Sequence, residues 1–217
     1  MQQHSISVQR TAHYSTIGQP GPKVKYLIIA CHGYGQLAKR FIRKFDVLDP
    51  EEVLVIAPEG LSRFYWGGLD GDVVASWMTR EDRLDEIEDF CNYLQNLYDY
   101  YLPQLSAEVK VVLLGFSQGC ATIMRWVMRD FPKCDYLSFW GGMIPEDLDY
   151  KPHLDYFKEK DITFFRGEED PLITPDRLTF IRQVILETGI KGIKEIPFEG
   201  KHTVERSVLK NWYDTLA

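Results

Sequence analysis

Six short runs along the chain, most of them apolar almost without interruption, are strand candidates: residues 24–31, 53–57, 110–116, 136–140, 162–166 and 193–197. Continuous rather than alternating apolar runs of this length predict strands buried on both faces, as in a parallel sheet. Ile6 and Val8 alternate with polar neighbours, which predicts an antiparallel edge strand at the start, with residues 11–17 a candidate for a second. Between the runs the period becomes helical. Leu84, Ile87, Cys91, Leu94, Tyr98 and Tyr101 recur at intervals of 3, 4, 3, 4 and 3, one apolar stripe along a long helix. Thr79 and Asp82 ahead of it read as a capping box, and the acidic residues from Glu81 to Asp89 suit the positive end of the helix dipole. Thr174-Pro175-Asp176 predicts a helix start and Gly189 its end. A last helix is expected from Val204 to Tyr213. Strand-then-helix units in series predict an α/β fold with a mainly parallel sheet and helices on both faces. No repeat, low-complexity stretch or linker interrupts them, so one domain over 1–217 is expected.

Composition narrows the function. Twenty-five basic residues against 32 acidic give a net charge of −7, with no basic patch, which disfavours nucleic acid as a partner. The apolar runs fall far short of the ~20 residues needed to span a bilayer, so no stable membrane insertion is expected. The amino terminus shows no secretory pattern. Cys31, Cys91, Cys120 and Cys134 are scattered, without metal-ligand or redox spacing, and read as buried reduced thiols. A cytoplasmic protein without metal is the expectation.

Parallel sheets place their chemistry at the carboxyl ends of the strands. The run 110–116 ends in Gly115-Phe116-Ser117-Gln118-Gly119, a G-x-S-x-G pentad followed by a helical pattern. A nucleophilic serine at a sharp strand-to-helix turn needs small neighbours two residues to either side, and glycine supplies them. A serine hydroxyl at neutral pH also needs a base, and the base an orienting carboxylate. His202 follows the run 193–197, whereas His153 lies in a polar connection with no strand before it, so His202 is the expected base. Asp170, after the run 162–166 and fixed by Pro171, is preferred over Glu168 and Glu169 as the carboxylate; Asp176 belongs to the next helix. The amide of Gln118 is one expected oxyanion donor, and the glycine-rich loop His32-Gly33-Tyr34-Gly35-Gln36 supplies the other at Tyr34. His32 reads as a residue that shapes this loop. Trp66, Trp77, Trp140 and Met143 lie near the same strand ends and are expected to wall an acyl pocket. Arg63 and Arg80 read as structural or solvated.

Cys31-His32-Gly33-Tyr34-Gly35, Gly115-Phe116-Ser117-Gln118-Gly119, Gly167-Glu168-Glu169-Asp170 and Gly200-Lys201-His202 together resemble the phospholipase/carboxylesterase family of α/β-hydrolases. The resemblance runs from about residue 24 through nearly the whole chain. It implies an α/β-hydrolase fold without a cap domain, working without cofactor or metal. Two positions depart from the family's usual pattern. The oxyanion loop, commonly His-Gly-Leu-Gly-Asp, carries Tyr34 and Gln36, and Lys201 stands before the base where glycine is frequent.

The combined expectation is a serine carboxylesterase acting on short or medium acyl esters, small-molecule or lipid-like, through an acyl-enzyme. The alternatives are an acyl-protein thioesterase or lysophospholipase, and an inactive hydrolase fold serving as a binding module. Acyl length, ester against thioester preference and oligomeric state are not legible in the sequence.

Overall fold

The computed structural model describes residues 1, 2 and 4–216. Its centre is a seven-stranded sheet in which every neighbouring pair but one is parallel. The strands are β1 (Tyr14–Ile17), β2 (Tyr26–Cys31), β3 (Val53–Pro58), β6 (Lys110–Phe116), β7 (Tyr136–Trp140), β8 (Asp161–Gly167) and β9 (Lys194–Phe198). They lie in the order β1-β3-β2-β6-β7-β8-β9, with β1 antiparallel to β3 at one edge. A separate antiparallel ribbon joins β4 (Ser62–Trp66) to β5 (Asp72–Ser76).

The continuous apolar runs form the sheet because alternate residues feed two cores. Leu27, Ile29 and Cys31 of β2, with Val111 and Leu113 of β6, pack toward α2 (Arg83–Tyr101), α3 (Gln118–Asp130) and α5 (Pro175–Thr188). Ile28, Ala30, Val112, Leu114 and Phe116 face the other way, toward α1 (Ala38–Phe41) and α6 (Arg206–Asp214). A one-turn helix, α4 (Leu154–Phe157), precedes β8. Pro197 is accommodated because β9 is an edge strand that pairs only with β8. Among the described residues no helix is long and apolar enough to cross a membrane.

Helix starts were only partly legible. The Thr174 hydroxyl accepts the Arg177 amide at 3.2 Å, Pro175 follows, and Gly189 closes α5 in the left-handed region. The Thr79–Asp82 capping box does not form: Asp82 is the N-cap of α2 with φ 48° and no side-chain cap. Glu86, a turn further on, takes the Thr79 amide at 2.6 Å and its hydroxyl at 3.2 Å instead. The edge strand at Ile6 and Val8 is also absent. Both side chains are exposed, and β1 alone, inside 11–17, finds a partner. The β4–β5 ribbon was not anticipated.

Candidate active site

The topological switch of the sheet lies between β2 and β6, whose carboxyl ends sit side by side. Ser117 stands there, between β6 and α3, with φ 53° and ψ −116°. A non-glycine residue in that region is strained by about 1–3 kcal/mol, and the surroundings must enforce it. They do. The Ser117 amide donates to the Trp140 carbonyl at 2.8 Å, and the Ser117 carbonyl accepts from Cys120 at 3.0 Å. A Cβ on Gly115 would meet Cys120 Cα at 2.6 Å, and one on Gly119 would meet the Cys31 carbonyl oxygen at 2.1 Å. Both flanking glycines are therefore required by contact as well as by pattern.

His202 lies in the loop after β9 and packs its ring on Phe116, centroid to centroid 4.8 Å, one residue before the serine. Its Nδ1 bonds Asp170 Oδ2 at 2.7 Å. Asp170 is buried, and its second oxygen accepts the Leu172 amide at 2.9 Å, so the carboxylate cannot rotate freely. The competing acids are elsewhere: Glu168 and Glu169 are exposed, and Asp176 sits in the first turn of α5. His153 lies against Phe131 at the far end of α3. Gly141 closes the pair from above, where an added Cβ would stand 3.2 Å from His202 Nδ1 and 3.3 Å from Asp170 Oδ2. Among the described residues Ser117 Oγ and His202 are not hydrogen-bonded to one another. The ring's second nitrogen, Nε2, is left for a reacting proton, and such bonds often tighten only with substrate in place.

The glycine-rich loop after β2 lies against the serine: a Cβ on Gly33 would stand 3.1 Å from Ser117 Cβ. In this loop the Gly33 amide donates to Gln36 Oε1 at 2.9 Å and the Gly35 amide to the Ala75 carbonyl at 2.9 Å. The Tyr34 amide between them, and the Gln118 amide at the start of α3, bond nothing among the described residues. The Gln118 side chain is fully used, accepting from Trp77 N at 3.1 Å and donating to the Met78 carbonyl at 2.9 Å. His32 is wholly buried, with Nδ1 on the Gly33 carbonyl at 2.7 Å and Nε2 accepting the Gly60 amide at 2.9 Å. A ring that donates at one nitrogen and accepts at the other is neutral, and burial lowers its pKa to about 4. It shapes the loop and has no free nitrogen for proton transfer.

Four residues were expected to wall a pocket, and the structure separates them. Trp66 is half exposed on β4, with Tyr34 and Phe64 as ring neighbours at 5.7 and 6.2 Å. Trp77 and Trp140 do not face the cleft; both are buried in the core. Trp77 donates Nε1 to the His32 carbonyl at 2.8 Å, while Trp140 stacks on Phe165 at 4.0 Å and bonds Ser138 Oγ at 2.9 Å. Met143 is half-buried and lines a small apolar cavity with Phe139, Ile144 and Ile181. Leu172, two residues beyond Asp170 and bonded to it through its amide, is exposed. Arg63 is structural, paired to the buried Glu59.

A mostly parallel sheet of this order, with helices on both faces and a strained serine at its switch point, defines an α/β-hydrolase. The model of the phospholipase/carboxylesterase family matches residues 12–207, and the chain belongs to that family, among hydrolases of ester bonds. Solved structures agree on the fold. The chain is similar to acyl-protein thioesterase 2 of Zea mays, covering 94% of this chain and 99% of that one at 15% identity and a TM-score of 0.71. It is also similar to a phospholipase/carboxylesterase of Dyadobacter fermentans, with 94% and 97% covered, 18% identity and a TM-score of 0.63. A carboxylesterase of Bacillus cereus matches with 95% of each chain covered, 13% identity and a TM-score of 0.63. No curated protein matches the sequence.

Proposed function

We propose that the protein is a serine carboxylesterase that cleaves short or medium acyl esters through an acyl-enzyme. The observation that carries this reading is the left-handed Ser117 placed against a loop whose Tyr34 amide has no partner among the described residues, with the His202–Asp170 pair packed on the adjoining Phe116. Ser117 Oγ attacks the ester carbonyl while His202 Nε2 takes its proton. Asp170 holds Nδ1–H, which fixes the tautomer and stabilises the imidazolium. The carbonyl oxygen, now negative, is taken by the Tyr34 and Gln118 amides, and loss of one such donor costs roughly 10²–10³ in kcat. His202 then protonates the departing alcohol, and the acyl group leaves by the same steps with water as nucleophile.

Acyl selectivity follows from the rim. Tyr34 and Trp66, half exposed and in ring contact, offer an open apolar edge rather than an enclosed channel. Each methylene such an edge covers contributes about 0.8 kcal/mol, and the benefit stops where the wall does. A thioester reading is the second one, favoured by the likeness to the maize thioesterase. The test is labelling with an organophosphonate, which should modify one site, placed on Ser117 by mass spectrometry and lost in Ser117→Ala. No labelling of folded protein would return the fold to a binding role. A graded panel of esters and thioesters then separates the two substrate classes.

A further inference from the structure

The loop that presents Tyr34 is held from both sides. Gln36 acts twice. Its side-chain oxygen folds back on the Gly33 amide at 2.9 Å, and its backbone carbonyl accepts the Ala75 amide of β5 at 3.1 Å. The Gly35 amide returns a bond to the Ala75 carbonyl at 2.9 Å, so this stretch pairs with the edge of the β4–β5 ribbon as a one-residue bridge. The peptide carrying the Tyr34 N–H has its own carbonyl, that of Gly33, on His32 Nδ1 at 2.7 Å, and it lies between two further tied peptides. One is tied to the ribbon and the other to the Gln36 side chain. A Cβ on Gly33 would stand 3.1 Å from Ser117 Cβ, so the loop lies close to the serine and rotation of either peptide would turn the Tyr34 amide away from a carbonyl attached to Ser117.

We infer that Gln36 is a positioning residue for the reaction: its side-chain oxygen aims the Tyr34 amide at the oxyanion. The inference rests on the serine-esterase reading above. It is specific about the atom. Gly33 N–H is a donor, so the group facing it must be an acceptor, and Gln36 Nε2 bonds nothing among the described residues. A carboxylate oxygen at the same place, on a side chain of the same length, would serve. A thioether would not. A misaimed donor should cost less than a deleted one, so an effect below the 10²–10³ of complete removal is expected.

The experiment compares native protein, Gln36→Met and Gln36→Glu in steady-state ester hydrolysis, phosphonate labelling and pH–rate profiles. Gln36→Met should lower kcat by roughly 10- to 100-fold, slow phosphonylation of Ser117 in proportion and leave KM within about threefold. Its pH–rate midpoint should match the native one, since the His202–Asp170 bond is untouched. Gln36→Glu should recover kcat to within about fivefold of native. A Gln36→Met enzyme within twofold of native overturns the inference, as does a loss shared equally by Gln36→Glu, or one confined to KM. Should Gln36→Met fail to fold, Gln36→Asn, one methylene too short to reach Gly33, gives the same comparison. Native protein that takes no phosphonate at Ser117 overturns the esterase reading itself, and this inference with it.

Discussion

Ser117, Asp170 and His202 stand at the ends of β6, β8 and β9, strands whose neighbours hold them in register. The apolar rim stands on different ground. Trp66 and its ring neighbour Phe64 belong to a two-stranded ribbon, bound to the catalytic side through the Gln36–Ala75 bridge and the aromatic contact with Tyr34. The candidate chemistry is thus fixed to the sheet, whereas the surface that would meet the acyl chain is fixed to a smaller appendage. A side chain of the first kind can hardly change without loss of reaction. One of the second kind can change and alter only what is accepted.

The widest gap between the two regions should appear in turnover. Ser117→Ala and His202→Ala should each lower kcat by about 10⁴-fold or more, because such residues act as a unit. Asp170→Asn should cost a similar amount or less, through loss of tautomer control, while the exposed Glu169→Gln should stay within about twofold. Equal damage from Glu169→Gln in steady-state kinetics would move the carboxylate and break the first half of the comparison.

Two tryptophans sharpen it. Trp140→Ala empties a buried, stacked site and should cost about 3–5 kcal/mol in denaturant unfolding. Trp66→Ala, on the ribbon, should cost less than ~1 kcal/mol and instead shift the optimum of kcat/KM against acyl length. If Trp66→Ala abolished hydrolysis of every ester, the rim would be part of the machinery and the division would fail.

A smaller effect concerns the loop between the regions. His32 has a folded pKa of about 4 against an unfolded value near 6.5, so the unfolded chain binds the extra proton first. Its contribution is fully present above pH ~6.5 and is lost as pH falls toward 4, by about 1.4 kcal/mol per unit once the unfolded ring is protonated. Unfolding free energies at pH 7 and 4.5 should differ by roughly 2–3 kcal/mol more in native protein than in His32→Asn. Parallel curves would show that the ring takes its proton as readily in the fold as in the unfolded chain.

The two regions also differed in how legible they were. Strands buried on both faces announce themselves as unbroken apolar runs, and glycines that contact leaves no choice but glycine mark the turn around Ser117. His202 and Asp170 could be named as candidates because each follows a strand in the chain order that a serine hydrolase of this fold would need. The ribbon gave no comparable signal: Ser62–Trp66 and Asp72–Ser76 are half exposed and rich in polar and aromatic residues, so their pairing depends on partners far along the chain. Trp77 and Trp140 were misplaced for a related reason. A position at or just past a strand's end fixes where the backbone goes, while the direction of the side chain depends on which core lies on that face. Ile6 and Val8 had the alternation of a strand but no partner edge.

The four cysteines have a practical consequence. Thioester cleavage releases a thiol, which coloured disulfide reagents report continuously, and a protein's own reactive thiols normally blur that signal. Here Cys31, Cys91 and Cys120 are fully buried and Cys134 nearly so, and burial pushes Cys91 and Cys120 up to about 12. Since the thiolate is the form that attacks such reagents, the folded protein should contribute almost no colour of its own at neutral pH. Oxygen and sulfur leaving groups can then be compared on one sample without blocking a single side chain.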